Sequence, residues 1–473
     1  MTQVYDVIVL GCGAAGVAAL SQLVEKGLKV LGLDGNDRIG GRIKTVPFAD
    51  NVVDLGGQWC NGDKHNAVFQ LVKDLDVLAK PATHKANVFS NGDILETEIT
   101  DKYHKLLLSI IKDAKKIDGM KTEAIVDYVK AEYIRQLQAI NFSVDKEIAG
   151  EMLDWYIKST QAKISSNELR EKSLNSLKES WDNNGEVWLN WKDKGFKTVF
   201  DILLKKYPDP SKALPVEILL NKEVMNIKWG SSKIGGNAGS LVNITCRDGS
   251  VFLARHVIVT FSMGVLKERY ETLFTPCLPD AKIISIRALA MCTMNNIYIH
   301  FPRAWWPETQ THFGLLWKEE DKKKFVGEDS WLTEVYAFTT IDYQPNVLCG
   351  MVAGTAAEDM ELHSTHEVLE RVYALLKHFF GKAYDIPEPK EVIRSTWYSN
   401  PLARGSYSYR SIETEYVECG AADLSEPLLS EDNVPVVCFA GEATSLHHHS
   451  TAHGAVESGF REAERLITLL KKS

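Results

Sequence analysis

Residues 7–42 read VIVLGCGAAGVAALSQLVEKGLKVLGLDGNDRIGGR, and this stretch decides the fold. It predicts an apolar strand, a Gly11-x-Gly13-x-x-Gly16 turn, a short helix, a second strand ending at Asp34, and a Gly40-Gly41-Arg42 run. Gly11 suits the tight turn after the strand, Gly13 a close backbone approach to a pyrophosphate, and Gly16 tight helix–strand packing. Ala14 and Ala15 open the helix, whose unpaired N–H groups and dipole favour an anion. Asp34 stands at the second strand's tip, where a carboxylate can accept hydrogen bonds from an adenosine ribose. Together these elements point to a bound dinucleotide.

Composition bounds the rest. The chain has 473 residues, 45% of them hydrophobic, enough for two or more domains or one large interleaved pair. A net charge of −9 disfavours nucleic acid as a partner. It fits a cationic substrate and fits ordinary acidic solubility equally well. The first strand starts so near Met1 that no signal peptide is expected. No apolar run approaches the ~20 residues of a membrane span, so the expected location is cytoplasmic. Eight scattered cysteines without CxxC spacing read as reduced core thiols.

Residues 102–193 carry helical periodicity, as in LLLSIIKDAKKI, AIVDYVKAEYIRQL and GEMLDWYIKSTQ, and look like a helical insertion. Strand-like runs follow in ALPVEILLNKEVMNIKW, SLVNITC, HVIVTF, NIYIHF, WLTEVYAF and VLCGMVA. HEVLERVYALLKHFFG predicts a helix stopped at Gly381. The last segment predicts a buried strand, a polar turn and an amphipathic helix from Ala452 onward. Within it, His447, His448, His449 and His453 read as a polar loop and not a metal site, because adjacent histidines diverge and no Cys or Asp cluster completes them. EEDKKKF at 319–325 reads as a solvated surface turn. No Ser-His-Asp set stands out, so hydrolase chemistry is unsupported.

FAGEA at 439–443 and His453-Gly454-Ala455, with DLGGQW at 54–59 and VIVTFSMGVLK at 257–267, resemble the flavin-dependent amine oxidase family. Trp397-x-x-Asn400-Pro401, RGSYSY at 404–409 and Ser450-Thr451 are similar to the polyamine and spermine oxidase branch. The resemblance implies an α/β amine oxidase fold, a Rossmann-like FAD-binding domain interleaved with an α+β substrate-binding domain. The FAD-binding domain is expected from 1–84, 196–283 and 396–473. The substrate-binding domain, with the helical insertion, is expected from 85–195 and 284–395.

Carried over residue by residue, the resemblance assigns Gly11, Gly13, Ala14, Ala15, Gly16 and Asp34 to the ADP moiety, and Gly41 and Arg42 to the GGR signature beside the flavin. It assigns Gly56, Gly57, Gln58 and Trp59 to the flavin ring and the backbone of Val224 to the adenine. Gly441 and Glu442 go near the ribityl chain, and Thr451 and Ala452 to the start of the helix beneath the ring. Trp397 and Tyr407 match aromatics that flank flavin and substrate, although Trp397 fits a core position as well. Ser406 stands where monoamine oxidases carry a flavin-bonded cysteine. A serine cannot form that thioether, so the expected FAD is non-covalent.

Two positions depart from the family pattern. Asn296, within CTMNNI at 292–297, stands where a lysine normally holds a water beside flavin N5, and it offers no titratable ammonium. Asn61, in Trp59-Cys60-Asn61-Gly62, stands where polyamine oxidases use histidine or glutamate to read the substrate nitrogen. Asn61, Asn296, Trp397, Tyr407 and Thr451 are therefore the expected catalytic set. The implied reaction passes a hydride equivalent from an amine, a polyamine or acetylpolyamine first, to the flavin. The imine then hydrolyses and O2 becomes hydrogen peroxide. An amino acid oxidase is disfavoured because Trp59 occupies the place of a carboxylate-binding arginine. A flavin-binding protein with impaired oxidase chemistry stays open because of Asn296. The partners expected are a small amine and O2.

Overall fold

The computed structural model describes residues 3–81, 85–117, 122–140, 144–163, 167, 169–179, 188–230 and 241–471. Parts of the expected helical insertion, at 118–121, 141–143, 164–166, 168 and 180–187, lie outside these, as does the first residue of the SLVNITC strand.

β1 (Val4–Leu10) is followed by α1 (Ala14–Glu25) and β2 (Val30–Leu33), as the opening stretch predicts. β1 is apolar at almost every position and buried at both faces, the pattern of a central parallel strand. It pairs in parallel with β2 on one side and Val251–Val259 on the other. Val251–Val259 in turn pairs in parallel with Pro435–Phe439, the strand before the GE motif. These strands are the middle of a nine-stranded sheet. One face packs α1 against the final helix, Ala452–Leu470. That contact is close: a Cβ on Gly459 would lie 2.1 Å from the Ala15 carbonyl oxygen.

A second, seven-stranded sheet runs Glu391–Arg394, Met294–His300, Gln344–Ala353, Ala337–Ile341, Gln310–Leu316, Lys85–Ser90 and Asp93–Ile94. Helix Thr365–Phe380 covers one face with Val368, Val372, Leu375, Leu376, Phe379 and Phe380, and Ser364 and Glu367 form its capping box. Helices Thr97–Ala114, Ile125–Ala139 and Lys146–Lys163 cover the other face. Strands of the nine-stranded sheet come only from 1–84, 196–283 and 396–473, and those of the seven-stranded sheet only from 85–195 and 284–395. A ribbon of Ala290–Cys292 against Tyr407–Tyr409 ties one set of segments to the other.

Two expectations are corrected here. WLTEVYAF is not one strand: Gly327–Glu334 is a 3₁₀ helix, and a strand begins only at Ala337. Burial recurs in adjacent pairs, Trp331 with Leu332 and Val335 with Tyr336, a spacing nearer a helical turn than a two-residue alternation. EEDKKKF is a solvated turn only in part: Glu319, Glu320, Lys323 and Lys324 are exposed, but its first half is helical and its third residue is not solvated. Glu319–Lys322 is helical and Asp321 is fully buried, accepting from Lys324 Nζ at 2.9 Å and pairing with His378 Nε2 at 3.0 Å. Its charges lock the segment onto helix Thr365–Phe380. Among the described residues no helix is long and apolar enough to cross a membrane.

Candidate active site

A cavity of about 990 Å³ extends from the glycine turn after β1 to the wall made by the helical insertion. At its first end the backbone does the shaping. Gly11 has φ +93° and Gly16 packs so tightly that an added Cβ would lie 1.9 Å from the Gly11 carbonyl oxygen. Gly16 therefore holds the turn together from behind, while Gly13, Ala14 and Ala15 face the cavity. No side chain caps the first turn of α1, which leaves its amide donors available to a phosphate. Asp34 is buried at the cavity wall: Oδ2 accepts the Cys12 N–H at 2.7 Å and Oδ1 accepts the Asn36 N–H at 2.8 Å. The carboxylate thus fixes the glycine turn itself.

Farther along, Arg42 and Glu442 close a clasp across the cavity wall. Arg42 Nη1 donates to Glu442 Oε1 at 2.8 Å and to the Ser406 carbonyl at 3.0 Å. Glu442 also accepts from the Ser408 hydroxyl at 2.7 Å and the Ser450 amide at 2.9 Å. Gly441 lies beside it on the cavity. Gly56 is compressed against Arg42, with an added Cβ only 1.8 Å from the Arg42 carbonyl oxygen. Gly41 and Val224 also line the cavity, and Val224's carbonyl accepts from Arg269 Nη2 at 3.1 Å.

At the other end, Gly57, Gln58, Trp59 and Asn61 line the wall. Trp59 meets Trp188 edge to face at 5.1 Å, and Asn61 Oδ1 accepts the Trp188 N–H at 3.4 Å. Asn296 is buried, and its amide nitrogen donates to Tyr298 Oη at 3.2 Å and the Asp54 carbonyl at 3.5 Å. Tyr298 donates to the same carbonyl at 2.6 Å, so both side chains brace the DLGGQW loop. Burial pushes the Asp54 carboxyl up to about 7, although hydrogen bonds from Thr45 and the Phe196 amide oppose the rise.

Trp397 is buried and donates its indole N–H to the Leu55 carbonyl at 2.9 Å, so it supports the loop while lining the cavity. Tyr407 lines the cavity with its hydroxyl on the Ala162 carbonyl at 3.3 Å and the Met294 sulfur at 2.8 Å. Thr451 caps the final helix, accepting the Gly454 N–H at 3.0 Å and donating to the His448 carbonyl at 2.7 Å. Ala452 follows it on the wall. The Ser406 hydroxyl donates to the Met294 carbonyl and accepts its amide, both at 2.8 Å.

The histidine segment is a loop at 447–449 but is not solvated: His448, His449 and His453 are 8%, 9% and 3% exposed, and His449 and His453 line the cavity. His448 Nδ1 pairs with Glu457 at 2.7 Å and its ring meets His453 edge-on at 4.7 Å. Burial pushes His449 down to about 3 and His453 to about 4, leaving both neutral near pH 7. Sequence spacing also missed Trp188, Lys172, Trp155 and Tyr336 on the wall. They come from segments distant in the chain, and no local motif marks them.

The cavity fits an extended dinucleotide on observations of its own. Gln58 Oε1, His449 Nδ1 and His453 Nε2 are buried polar atoms without a partner among the described residues, and all three residues line it. With the uncapped start of α1, they offer contacts to both ends of such a group.

Comparison with known proteins places this geometry. A family model described as flavin containing amine oxidoreductase matches residues 14–467. The chain is 29% identical to the peroxisomal N(1)-acetyl-spermine/spermidine oxidase of Bos taurus, over 98% of this chain and 94% of that one. It is 26% identical to probable polyamine oxidase 5 of Arabidopsis thaliana, over 98% of each. Cyclohexylamine oxidase from Brevibacterium oxydans superposes with a TM-score of 0.72 at 18% identity, covering 99% of this chain and all of the other.

Proposed function

The chain belongs to the flavin containing amine oxidoreductases and its cofactor is FAD, and from that premise we propose that it oxidises an amine of the polyamine or acetylpolyamine type with O2 as acceptor. The observation that carries the reading is one cavity joining the phosphate-binding turn to an aromatic wall of Trp59, Trp188 and Tyr407. The names of the relatives above support the substrate class.

When bound, FAD supplies a two-electron acceptor. Gly13, Ala14 and Ala15 would hold its phosphates, Arg42 and Gln58 its middle, and Gly57 with Thr451 the edge of its ring. This chain's own side chains do the positioning. The aromatic wall orients the amine and excludes water, and the apolar surroundings favour the neutral amine over its ammonium form. No nucleophile is required. The Ser406 hydroxyl, tied to Met294, supports non-covalent retention of the cofactor, which denaturation followed by filtration tests directly.

Anaerobic mixing with spermine, spermidine or their acetyl forms is expected to bleach the flavin. If none of them does, the substrate claim fails. A second reading, a slow oxidase, is favoured by Asn296, whose amide is held on Tyr298 and Asp54 where a lysine would offer an ammonium. Stopped-flow reoxidation separates the two. A rate close to that of free flavin, accelerated at least tenfold by Asn296→Lys, would support the slow oxidase. All eight cysteines are unpaired, which supports a reducing compartment and, in our reading, the cytoplasm; fractionation tests it.

A further inference from the structure

Asn296 carries one polar atom that the protein leaves unspent. Its backbone is pinned, the amide donating to Ser395 Oγ at 2.9 Å and the carbonyl accepting the Ser395 amide at 3.0 Å. The residue is 7% exposed and lines the cavity. Its neighbours dictate which way the side-chain amide faces. The Tyr298 hydroxyl gives its one proton to the Asp54 carbonyl at 2.6 Å, and burial pushes that phenol well up, so the proton stays on it. The carbonyl and the phenol oxygen can then only accept. Both contact the nitrogen of the amide: Nδ2 reaches Tyr298 at 3.2 Å and Asp54 at 3.5 Å. Turned over, the amide would set its oxygen against two oxygens with no proton between them. Both N–H bonds are therefore used, and Oδ1, on the other arm of the planar amide, has no partner among the described residues.

The surroundings of that oxygen are apolar and aromatic. Asn296 stands directly opposite Met351 across the strand pair, and Met294, two residues before it, shares its face of the strand. Both methionines line the cavity, as do Tyr336 and Trp397. The Met294 sulfur meets the Tyr407 hydroxyl at 2.8 Å, and Trp397 donates to the carbonyl of Leu55, the residue after Asp54. A carboxamide oxygen in such a place accepts an N–H from a neutral amine. It is a poor partner for a buried ammonium, whose charge it does not balance. A neutral tertiary amine has no hydrogen to offer it.

We propose that Asn296 Oδ1 accepts a hydrogen bond from the nitrogen that is oxidised, which restricts the substrate to primary and secondary amines and rejects tertiary ones. This rests on the amine-oxidising reading, with Trp397 and Tyr407 beside the reacting nitrogen, and deepens it. Because the nitrogen donates this bond, its lone pair stays free to assist departure of the hydride from the adjacent carbon. Asn296 is a specificity-determining residue that takes no proton, and its two bonds to Tyr298 and Asp54 hold the oxygen in place.

The test uses the purified holoprotein without oxygen, so that reoxidation, where the slow oxidase would differ, does not enter. N1-acetylspermidine is compared with the derivative in which methylation makes both of its amines tertiary. Dissociation constants come from difference spectra of the oxidised flavin, and reduction rates, kred, from anaerobic mixing. In the wild type kred/Kd is expected to be roughly tenfold or more higher for the parent than for the derivative. Asn296→Leu, which keeps the bulk and removes the acceptor, is expected to retain FAD, lower the parent's kred/Kd by about that factor and bring the ratio of the two amines near one. If that variant loses FAD, Asn296→Ala replaces it with the same expectation. Equal kred/Kd for the two amines in the wild type overturns the proposal and leaves the amine reading standing. A preference undiminished in the variant makes the discrimination steric and also overturns it. If neither these amines nor spermidine perturbs or reduces the flavin, both fall.

Discussion

The two ends of the cavity are built by different means. At the phosphate end, main-chain groups of β1, α1 and the turn between them set the shape, and glycines are required because their hydrogens face other backbone atoms. At the insertion end, side chains from helices Thr97–Ala114 and Lys146–Lys163 and from the loop around Lys172 set it. A backbone-built site tolerates almost no substitution and is the same for every molecule that shares it. A side-chain-built site can be altered one residue at a time, and that is where specificity can diverge without loss of the cofactor.

The sharpest break of that comparison is Gly16→Val, which drives a side chain into the Gly11 carbonyl. It is expected to cost about 4 kcal/mol or more and to yield protein without FAD; absorbance at the flavin band relative to protein reads the outcome. Next is Glu442→Ala, which leaves Arg42 without its buried partner and the Ser408 amide, the Ser408 hydroxyl and the Ser450 amide without this acceptor. A loss of about 3 kcal/mol in urea unfolding is expected, with FAD retained more weakly. A wild-type midpoint in this variant would show that the clasp is dispensable.

The third prediction concerns pH. Asp54 binds its proton more tightly folded than unfolded, because burial lifts it to about 7. Its contribution to stability is therefore full below about pH 4 and is lost as pH rises through about 7, with a slope of at most about 1.4 kcal/mol per pH unit. Asp54→Asn is expected to flatten the unfolding midpoint between pH 5 and pH 7.5 relative to wild type; an unchanged slope would assign the titration elsewhere. The smallest effect belongs to Trp397→Phe, which removes one hydrogen bond to the Leu55 carbonyl. About 1 kcal/mol is expected, together with a small shift of the flavin spectrum if the loop relaxes.

This contrast also explains what the sequence made legible. The β1–α1–β2 unit could be read because Gly11 and Gly16 answer local steric demands that leave a local spacing. The 3₁₀ helix at Gly327–Glu334 could not, since the same apolar residues satisfy a buried strand until their neighbours are known. Asp321 looked solvated because its burial depends on His378, a residue from a different helix. Lys172 carried no signal for the same reason: nothing near it in sequence predicts that it is buried at the cavity wall. The histidine run was visible but its burial was not, because His448 leans on Glu457 of the final helix.

The clasp between Arg42 and Glu442 spans 400 positions of the chain. The strand Pro435–Phe439 that presents Glu442 is also a neighbour of Val251–Val259 at the centre of the larger sheet. A ribosome that has released the glycine turn, the first helix and most of the second sheet has therefore not yet made a holder for the cofactor. The holder is complete only once Pro435–Phe439 is seated beside Val251–Val259 and Glu442 reaches Arg42.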